Sequence, residues 1–289
     1  MIQYLYLGRV RYDDGLRLQA EMAELRYQGR VENVLLMLEH PPVLTLGRNA
    51  DRSNVLASDA LLEQRGITIH EINRGGDVTY HGPGQLVGYP IFDLRSLRNT
   101  SGSRMGPVDF VRGMEEALIR VCANFGVRAG RIPSLTGVWC GLAQGDLGVA
   151  GPSVLVESSG NERKIAAIGI HVSRGITSHG FAFNVTTDLK DFALINPCGI
   201  TDRPVTSLKD EISNLPVELP TLEAVADQAA RQFGQVFSEQ VLAVESLAAL
   251  RDQAKPTPSA TPPMPEDTPL QIPRDVERLL GKGDRPIRV

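Results

Sequence analysis

The sequence contains no long hydrophobic run and few cysteines. Nowhere in its 289 residues do about 18 apolar residues follow one another, as a membrane-spanning helix would require. The amino terminus lacks the charged region and apolar core of a secretory signal. The three cysteines, Cys122, Cys140 and Cys198, form neither a disulfide framework nor a complete zinc site. We therefore expect a cytoplasmic protein that does not bind membranes or metal ions.

Excess positive charge and common cofactor motifs are missing as well. The net charge of −4 argues against a general surface for nucleic acid. The glycines match neither the phosphate-binding pattern G-x-x-x-x-G-K-[ST] nor the dinucleotide pattern G-x-G-x-x-G. No H-E-x-x-H, C-x-x-C or G-x-S-x-G is present. We therefore expect neither a typical nucleotide-binding enzyme nor a metalloenzyme or serine hydrolase.

The pattern of apolar residues predicts an α+β fold. Helical periodicity occurs at residues 16–29, 108–125 and 222–237. Short apolar runs indicate strands at 34–47, where a Pro-Pro turn intervenes, and at 66–72, 86–94, 137–140, 164–172 and 179–185. Because turns of hairpin type join many of these runs, we expect a mixed, mostly antiparallel sheet with packed helices.

Composition divides the chain into a domain and a tail. Eight of the 19 prolines lie within residues 256–289, a density typical of disordered segments. We expect a catalytic domain at 1–250 and a disordered tail at 251–289, in which 275–280 forms at most a helical turn. Residues 141–161 are rich in glycine and serine and are expected to form a long loop or loose hairpin.

Residues 74–86, with the sequence RGGDVTYHGPGQL, contain more glycine than a turn requires. Glycines stand at positions 75, 76, 82 and 84, whereas a plain turn needs one or two. Positions without a Cβ allow close approach to the backbone, either by a ligand or by another strand. The segment is a candidate binding loop whose occupant these residues alone leave open.

Cys198 is the candidate nucleophile. Pro197 and Gly199 place it on a turn, where a thiol is accessible. A free cysteine is more often a buried apolar residue, and the local pattern alone favours that interpretation. We expect Cys122, on the apolar stripe of a helix, and Cys140, on a strand, to be packing residues.

A nucleophilic cysteine needs a nearby base or cation to form a thiolate at neutral pH. His81, His171 and His179 are possible partners. Lys164, at the start of an apolar strand, is the alternative, since a half-buried amine can accept a thiol proton. The pattern alone favours a solvated lysine, so the choice between a Cys–His and a Cys–Lys pair stays open at this point.

Five segments occur in a characteristic order along the chain. These are LEHPPVLTLG from Leu38, RGGDVTYHGPGQLVGYPI from Arg74, RKIAAIG from Arg163, SHGFAFNV from Ser178 and NPCGI from Asn196. Taken together, over roughly residues 1–245, they resemble the lipoyl(octanoyl) transferases, which move an octanoyl chain from acyl carrier protein to a lysine of a lipoyl domain.

The resemblance implies the fold of the biotin and lipoate protein ligases, and it implies roles for particular residues. Cys198 matches the family's acyl-thioester cysteine, and Lys164 matches the lysine that activates it. Three segments match those that line the acyl substrate site. Their residues are Arg74, Gly75, Gly76, Asp77, Val78, Thr79, Tyr80 and His81; Ala167, Ile168 and Gly169; and Gly180, Phe181 and Ala182.

The resemblance also implies partners. The acyl donor is acyl carrier protein, whose phosphopantetheine arm carries the substrate, so the enzyme needs no cofactor of its own. The acceptors are the lipoyl domains of 2-oxoacid dehydrogenase complexes and the H protein of glycine cleavage. These partners are acidic, so we expect a local basic face to which Arg74, Arg163, Lys164 and Arg174 contribute.

Two other functions are compatible with parts of the sequence. An ATP-dependent lipoate or octanoate ligase of the same fold would form an adenylate and would not need Cys198. A binding protein for acylated carriers would form no covalent adduct. The 141–161 stretch is longer than we expect for the family, and the tail lies outside the family core, so the resemblance assigns neither a role.

Overall fold

The computed structural model describes residues 1–99, 101–142, 160–196 and 203–254. The predicted turn at Cys198, most of the Gly/Ser-rich stretch and the tail from residue 255, including 275–280, lie outside the described residues. Residues 1–255 group into one compact unit. The predicted domain boundary at residue 250 stays a prediction.

The larger of two sheets has eight strands and is mixed. In chain order its strands are β1 (Ile2–Arg9), β2 (Asn33–Glu39), β6 (Gln85–Ile91), β7 (Ala129–Ile132), β8 (Leu135–Cys140), β9 (Arg163–Ser173), β10 (Ile176–Asn184) and β11 (Val241–Ala243). Their order across the sheet is β11-β1-β2-β6-β10-β9-β8-β7. Strand β1 pairs in parallel with β2 and β11, and every other pair is antiparallel. The prediction of a mixed, mostly antiparallel sheet is confirmed.

A smaller sheet has three strands, β3 (Val43–Leu46), β4 (Thr68–Glu71) and β5 (Val78–His81), with β3 in the centre. The chain passes from the large sheet to the small one at His40–Pro42 and returns at Gly82–Gly84. Both connections are short and contain proline, which fixes φ and cannot donate to a ladder. The two sheets are therefore joined closely at His40 and His81.

Helices cover both faces of the large sheet. They are α1 (Tyr12–Tyr27), α2 (Asp59–Gln64), α3 (Pro107–Asn124), α4 (Leu208–Glu211), α5 (Leu222–Phe237) and α6 (Leu247–Asp252). Met22 of α1 packs with Leu36 and Val87 on one face, while α3 and α5 bury the opposite face. No helix in the described part of the chain is long and apolar enough to cross a membrane.

Five phenylalanines form the centre of the core under α3 and α5. Phe92 lies 5.5 Å from Phe110 and 5.9 Å from Phe237, between ring centroids. Phe233 lies 5.6 Å from Phe237 and 5.7 Å from Phe181, a residue of β10. Since such ring pairs contribute about 0.5–1.5 kcal/mol beyond their buried area, this cluster fixes β10 against the helices.

Replacing Phe233 by alanine should lower the free energy of unfolding by about 3–5 kcal/mol, because the fully buried ring leaves a cavity that the core fills only in part. Urea unfolding followed by circular dichroism measures the change. Gln235→Ala, at an exposed position of the same helix, is the control and should stay within about 0.5 kcal/mol of the parent. Equal losses in both variants would contradict this account of the core.

Candidate functional site

A gap between β8 and β9 opens a cavity in the described part of the chain. The two strands pair only at Val138–Ala166, Trp139–Lys164 and Cys140–Arg163. Before Val138, β8 departs from β9 at Gly137, whose φ is +129°. A Cβ on Gly137 would lie 2.6 Å from the carbonyl oxygen of Ala166, so only glycine permits this backbone to approach β9 and then turn away. The residues of β9 after Ala166 thereby border an open space.

The space is a cavity of about 530 Å³, within the usual range for small-molecule sites. Its walls come from both sheets and from the start of α3. They are formed by Tyr12, Arg74, Gly75, Gly76, Thr79, His81, Val87, Tyr89, Pro107, Val108, Val111, Arg112, Ser134, Leu135, Thr136, Lys164, Ala167, Ile168, Gly169, Ile170, His179, Gly180, Phe181 and Ala182. Fourteen of these 24 residues are apolar or glycine, and ten have polar side chains.

The glycine-rich loop closes one side of the cavity by lying on the free edge of β9. The backbone N–H of Gly75 donates to the carbonyl of Ile170 at 2.9 Å. Gly169 lies directly beneath the loop, and a Cβ there would lie 2.6 Å from the carbonyl oxygen of Gly75. The glycines thus have two effects. They let the backbone of the loop approach β9 closely, and they leave room inside the cavity.

Arg74 holds this loop to the small sheet. Its side chain is buried and donates to the carbonyl and the hydroxyl of Thr45, at 2.8 and 2.9 Å, and to the carbonyl of Gly75 at 3.0 Å. Charged donors make shorter and stronger hydrogen bonds than neutral ones. Arg74 therefore fixes the loop on which the cavity wall depends.

Lys164 lies in the cavity wall and is 8% exposed. Its backbone N–H donates to Pro204 and its carbonyl accepts from Thr206, both at 2.9 Å. Its Nζ lies 4.8 Å from the centroid of the Trp139 ring. The structure therefore places an amine inside a largely apolar cavity, on a backbone fixed from two sides.

His81 presents a neutral ring to the cavity. Gln85 donates its amide N–H groups to the Tyr80 carbonyl and to Oδ1 of Asn184, so its Oε1 accepts from Nδ1 of His81 at 2.7 Å. The other ring nitrogen of His81 is then an acceptor. Burial, aided by the nearby His40, lowers the pKa of His81 to about 3.

A cluster of aromatic rings forms the junction of the two sheets beside the cavity. The Tyr12 ring lies 5.0 Å from His40 and 6.2 Å from His81. His40 is fully buried, donates from Nδ1 to the Val10 carbonyl at 2.7 Å and accepts the Tyr89 hydroxyl proton at 2.6 Å. Burial lowers the pKa of His40 to about 4 and raises the pKa of Tyr89. These groups remain neutral near pH 7.

His179 lies at a backbone position that few residues adopt. Its φ is +56°, and its Nε2 lies 2.7 Å from the Asn73 side-chain oxygen, to which it donates. Burial, with the nearby Arg74 charge, lowers the pKa of His179 to about 4. Neither His81 nor His179 is therefore charged near neutral pH.

The structure brings together most of the residues predicted to form the site. Around the cavity lie Lys164, Arg74, Gly75, Gly76, Thr79, His81, Ala167, Ile168, Gly169, Gly180, Phe181 and Ala182. Their roles with a substrate stay predictions. Asp77, Val78 and Tyr80 are not in the lining of this cavity, and their predicted role at the substrate site stays a prediction.

The alternation of side chains along β5 explains the difference. Thr79 and His81 face the cavity, whereas Val78 and Tyr80 face the core of the small sheet, as successive residues of a strand must. Tyr80 donates to Asp191 at 2.7 Å, and Asp77 accepts from the Asn54 amide at 2.6 Å. These three side chains support the wall from behind.

Two of the three cysteine predictions concern residues that the structure describes. Cys122 and Cys140 are fully buried, and burial raises the pKa of both thiols. Their predicted packing role is confirmed, since a protonated buried thiol is unreactive. Cys198 lies outside the described residues, and its predicted role stays a prediction.

The predicted basic face requires correction. Arg74 and Lys164 are buried in the cavity wall, Arg163 pairs with Glu211 at 2.9 Å, and Arg174 pairs with Glu24 at 2.7 Å. Arg74 points inward because its guanidinium donates to Thr45 of the small sheet, and Lys164 points inward from strand β9 into the cavity wall. Of the four, only Arg174 presents a largely exposed charged side chain, and that charge is paired.

The sequence pattern alone did not single out several lining residues. Tyr12, Tyr89 and Arg112 reach the cavity from three elements that are distant in sequence, so only the fold brings them together. Ser134–Thr136 joins them because β8 diverges at Gly137. A glycine inside an otherwise regular strand was the one available signal for that divergence.

The sequence matches the family described as "Lipoyl protein ligase A/B catalytic domain" over residues 11–234. The chain belongs to this family. It is 58% identical to an octanoyltransferase of Acidobacterium capsulatum over 247 residues, which are 85% of this chain and 94% of the relative. It is 47% identical to an octanoyltransferase of Koribacter versatilis over 96% of this chain and 97% of the relative. The predicted family and the predicted enzyme class, an acyltransferase, are confirmed.

A solved structure has a similar fold. The lipoate-bound structure of a protein from T. acidophilum, described as a lipoate protein ligase, superimposes with a TM-score of 0.58. It shares 16% identity and covers 87% of this chain and 92% of its own. At this identity the similarity establishes the fold alone, and it confirms the predicted fold class.

Three buried histidines, His40, His81 and His179, predict how the stability of the present chain depends on pH. Burial lowers the pKa of His40 and His179 to about 4 and that of His81 to about 3, whereas an unfolded histidine titrates near 6.5. Below about pH 6.5 the unfolded chain binds protons that the folded chain does not. The free energy of unfolding therefore does not depend on these histidines well above pH 6.5. It decreases as the pH falls from 6.5 towards 4, by roughly 1 kcal/mol per pH unit for each histidine.

Urea unfolding between pH 7.5 and pH 5 tests this dependence. His179→Asn should reduce the slope below pH 6.5 by about one third, since asparagine tolerates the positive φ and does not titrate. The two proteins should show parallel stability curves above pH 7. An unchanged slope in the variant would mean that His179 is charged in the folded protein.

Proposed function

We propose that this chain transfers an octanoyl group from acyl carrier protein to the ε-amine of a lysine on a lipoyl domain, through a thioester on Cys198. The observation that carries the proposal is the preformed, largely apolar cavity with Lys164 in its wall, in a chain 58% identical to an octanoyltransferase. The acceptors are the lipoyl domains of 2-oxoacid dehydrogenase complexes and the H protein of glycine cleavage.

The cavity suits a medium-length acyl chain. Val87, Ile168, Ile170 and Phe181 supply apolar surface, and Gly169 and Gly180 leave space between them. Burying seven methylene or methyl groups at about 0.8 kcal/mol each contributes roughly 5–6 kcal/mol before the costs of binding. This is enough to favour octanoyl over a short acyl group.

The proposed reaction has two steps and needs no cofactor of the enzyme. The Cys198 thiolate attacks the thioester carbonyl, the carbon–sulfur bond to the phosphopantetheine arm breaks, and the released sulfur takes up a proton. The neutral amine of the target lysine then attacks the new thioester, loses a proton and releases Cys198. The first step exchanges one thioester for another, and the second forms a more stable amide.

Lys164 is proposed to stabilise the Cys198 thiolate. The Pro204 carbonyl accepts a hydrogen bond from the Lys164 backbone N–H. Pro204 is only six positions after Cys198, so the chain can place Cys198 no more than about 20 Å from it. A cation beside a thiol favours the thiolate. His81 is a weaker partner, because burial lowers its pKa to about 3 and it remains neutral.

Incubation with octanoyl-acyl carrier protein, followed by intact-mass measurement, tests the proposal. The parent should gain one octanoyl group on Cys198 and pass it to an added lipoyl domain. Cys198→Ala should form no adduct. Lys164→Met should slow adduct formation by roughly tenfold or more, because the thiol loses the cation that favours its thiolate form.

Cys122→Ala, which removes a buried thiol outside the cavity lining, is the control and should acylate normally. Octanoyl transfer by Cys198→Ala at the parent rate would exclude the covalent route. Pyrophosphate release from ATP with free octanoate would instead favour the ligase alternative, and binding of the carrier without any adduct would favour the binding-protein alternative.

Gly169→Ala tests the location of the acyl site. The added Cβ would meet the Gly75 carbonyl at 2.6 Å, so the loop must move away from β9. We expect octanoyl transfer to slow by roughly tenfold or more, which corresponds to about 1.4 kcal/mol. Gly106→Ala has open space, with no atom closer than 4.0 Å, and serves as the control. Normal transfer by Gly169→Ala would place the acyl chain elsewhere.

A further inference from the structure

Trp139 contacts Lys164 directly. The two residues lie opposite one another on β8 and β9, and the Lys164 Nζ is 4.8 Å from the centroid of the indole. An ammonium within about 6 Å of an aromatic centroid is attracted by the negative face of the ring, most strongly by tryptophan. The contact lies inside the protein, since Trp139 is 1% exposed and Lys164 8%, and water weakens it little.

The indole is held in place by its surroundings. Trp139 pairs with Gly130 of β7 on one side and with Lys164 on the other. Its ring N–H donates to the Leu135 carbonyl at 3.4 Å, a long hydrogen bond. Pairing on both sides with little exposure leaves the ring little freedom to turn away.

Gly137 provides space for the Lys164 side chain. A Cβ on Gly137 would lie 3.1 Å from the Lys164 Cε and 3.7 Å from its Nζ. Oε1 of Glu115, a fully buried side chain of α3, accepts from the Gly137 N–H at 3.0 Å. The Lys164 side chain therefore runs between Gly137 and the indole in a channel that both strands define.

We propose that Trp139 is a positioning residue of this site, whose indole holds the ammonium of Lys164 in the place from which it acts on the Cys198 thiol. The inference rests on the proposed function in assigning Lys164 to Cys198. Trp139 itself touches neither the acyl group nor the sulfur in this mechanism, and it acts through Lys164.

The contact also selects the protonation state of the lysine. The ring face attracts the ammonium but not the neutral amine, whereas burial disfavours charge. The indole therefore favours the ammonium form of Lys164, against the effect of burial. In the proposed mechanism that ammonium lies beside the Cys198 thiolate and acts on it by its charge.

Other ionisable groups on the surrounding elements have their own partners. Arg163 pairs with Glu211, Arg203 lies 3.6 Å from Glu162, and Glu115 pairs with Arg112 and Arg131. His81 stays neutral because burial lowers its pKa to about 3, and the buried Cys140 thiol stays protonated because burial raises its pKa. Changes at Trp139 should therefore act mainly on Lys164.

The single tryptophan of the chain permits a direct measurement without acyl donor. Trp139 emission should change between about pH 7 and pH 11 as the ammonium beside the ring loses its proton, and Lys164→Met should abolish that transition. Identical titration curves for the parent and Lys164→Met would overturn the inference, because the indole would then not sense the amine.

Variants test the effect on the thiol. The rate of Cys198 alkylation by iodoacetamide, followed by peptide mass, should rise with pH at a midpoint set by the thiolate. Trp139→Leu should move this midpoint upward by about one pH unit, whereas Trp139→Phe, which keeps an aromatic face, should recover at least half of the shift. Phe110→Leu also removes a buried ring, but one that packs against Phe92 and Phe237, and should leave the midpoint unchanged.

A common shift in all three variants, or in none, would overturn the positioning role. Failure of the proposed function has a different signature. If the midpoint and emission behave as expected but no octanoyl adduct forms, the contact between Trp139 and Lys164 stands and the acyl-transfer proposal fails. If the adduct forms and Trp139→Leu keeps the parent midpoint, the acyl-transfer proposal stands and the inference fails.

Discussion

The close approach of Gly137 to β9 is the constraint on which the cavity depends. Regular pairing of β8 and β9 would continue the large sheet and leave no space for a ligand. Because Gly137 adopts a φ of +129° against the Ala166 carbonyl, pairing stops there, and β9 continues without β8. The free edge of β9 has polar backbone groups that need partners, and the Gly75 N–H supplies one at Ile170. The open edge and the loop that closes it are thus two parts of one arrangement.

The small sheet fixes the position of that loop next to β9. Two short connections, at His40–Pro42 and Gly82–Gly84, leave the sheets little relative freedom. Arg74 secures the loop to Thr45 with charged donors, and the buried rings of His40 and Tyr12 fill the junction. Because these contacts lie within the protein itself, we expect ligand binding to cost little in ordering the cavity walls. The buried imidazoles must stay neutral for this packing, which connects the integrity of the site to pH.

Local sequence patterns predicted individual helices and strands better than they predicted which residues come together in the folded protein. The helix at Leu222–Phe237 has the predicted bounds, because its apolar stripe repeats over four turns between a threonine cap and a residue in the left-handed region. Helix α1 begins at Tyr12, four residues before the predicted start at 16, because Gly15 weakens the pattern; that glycine leaves room for the His40 ring. Strand β1 was not predicted, although its pairing with β2 and β11 organises the sheet. The lining segments around Lys164 were found through family resemblance, whereas Tyr12 and Tyr89 join them only through tertiary structure.

The two positively charged side chains in the cavity wall, Arg74 and Lys164, have different roles. Arg74 directs its donors at carbonyl and hydroxyl oxygens of Thr45 and Gly75, so its charge is used to hold backbone in place. Lys164 instead lies over an aromatic face, which attracts the charge without fixing the direction of any one N–H bond. A guanidinium suits the first task because its planar fork matches fixed acceptors, and an ammonium suits the second because its N–H groups rotate. Exchange of either residue for the other would keep the net charge of the site and lose the geometry that gives each charge its task.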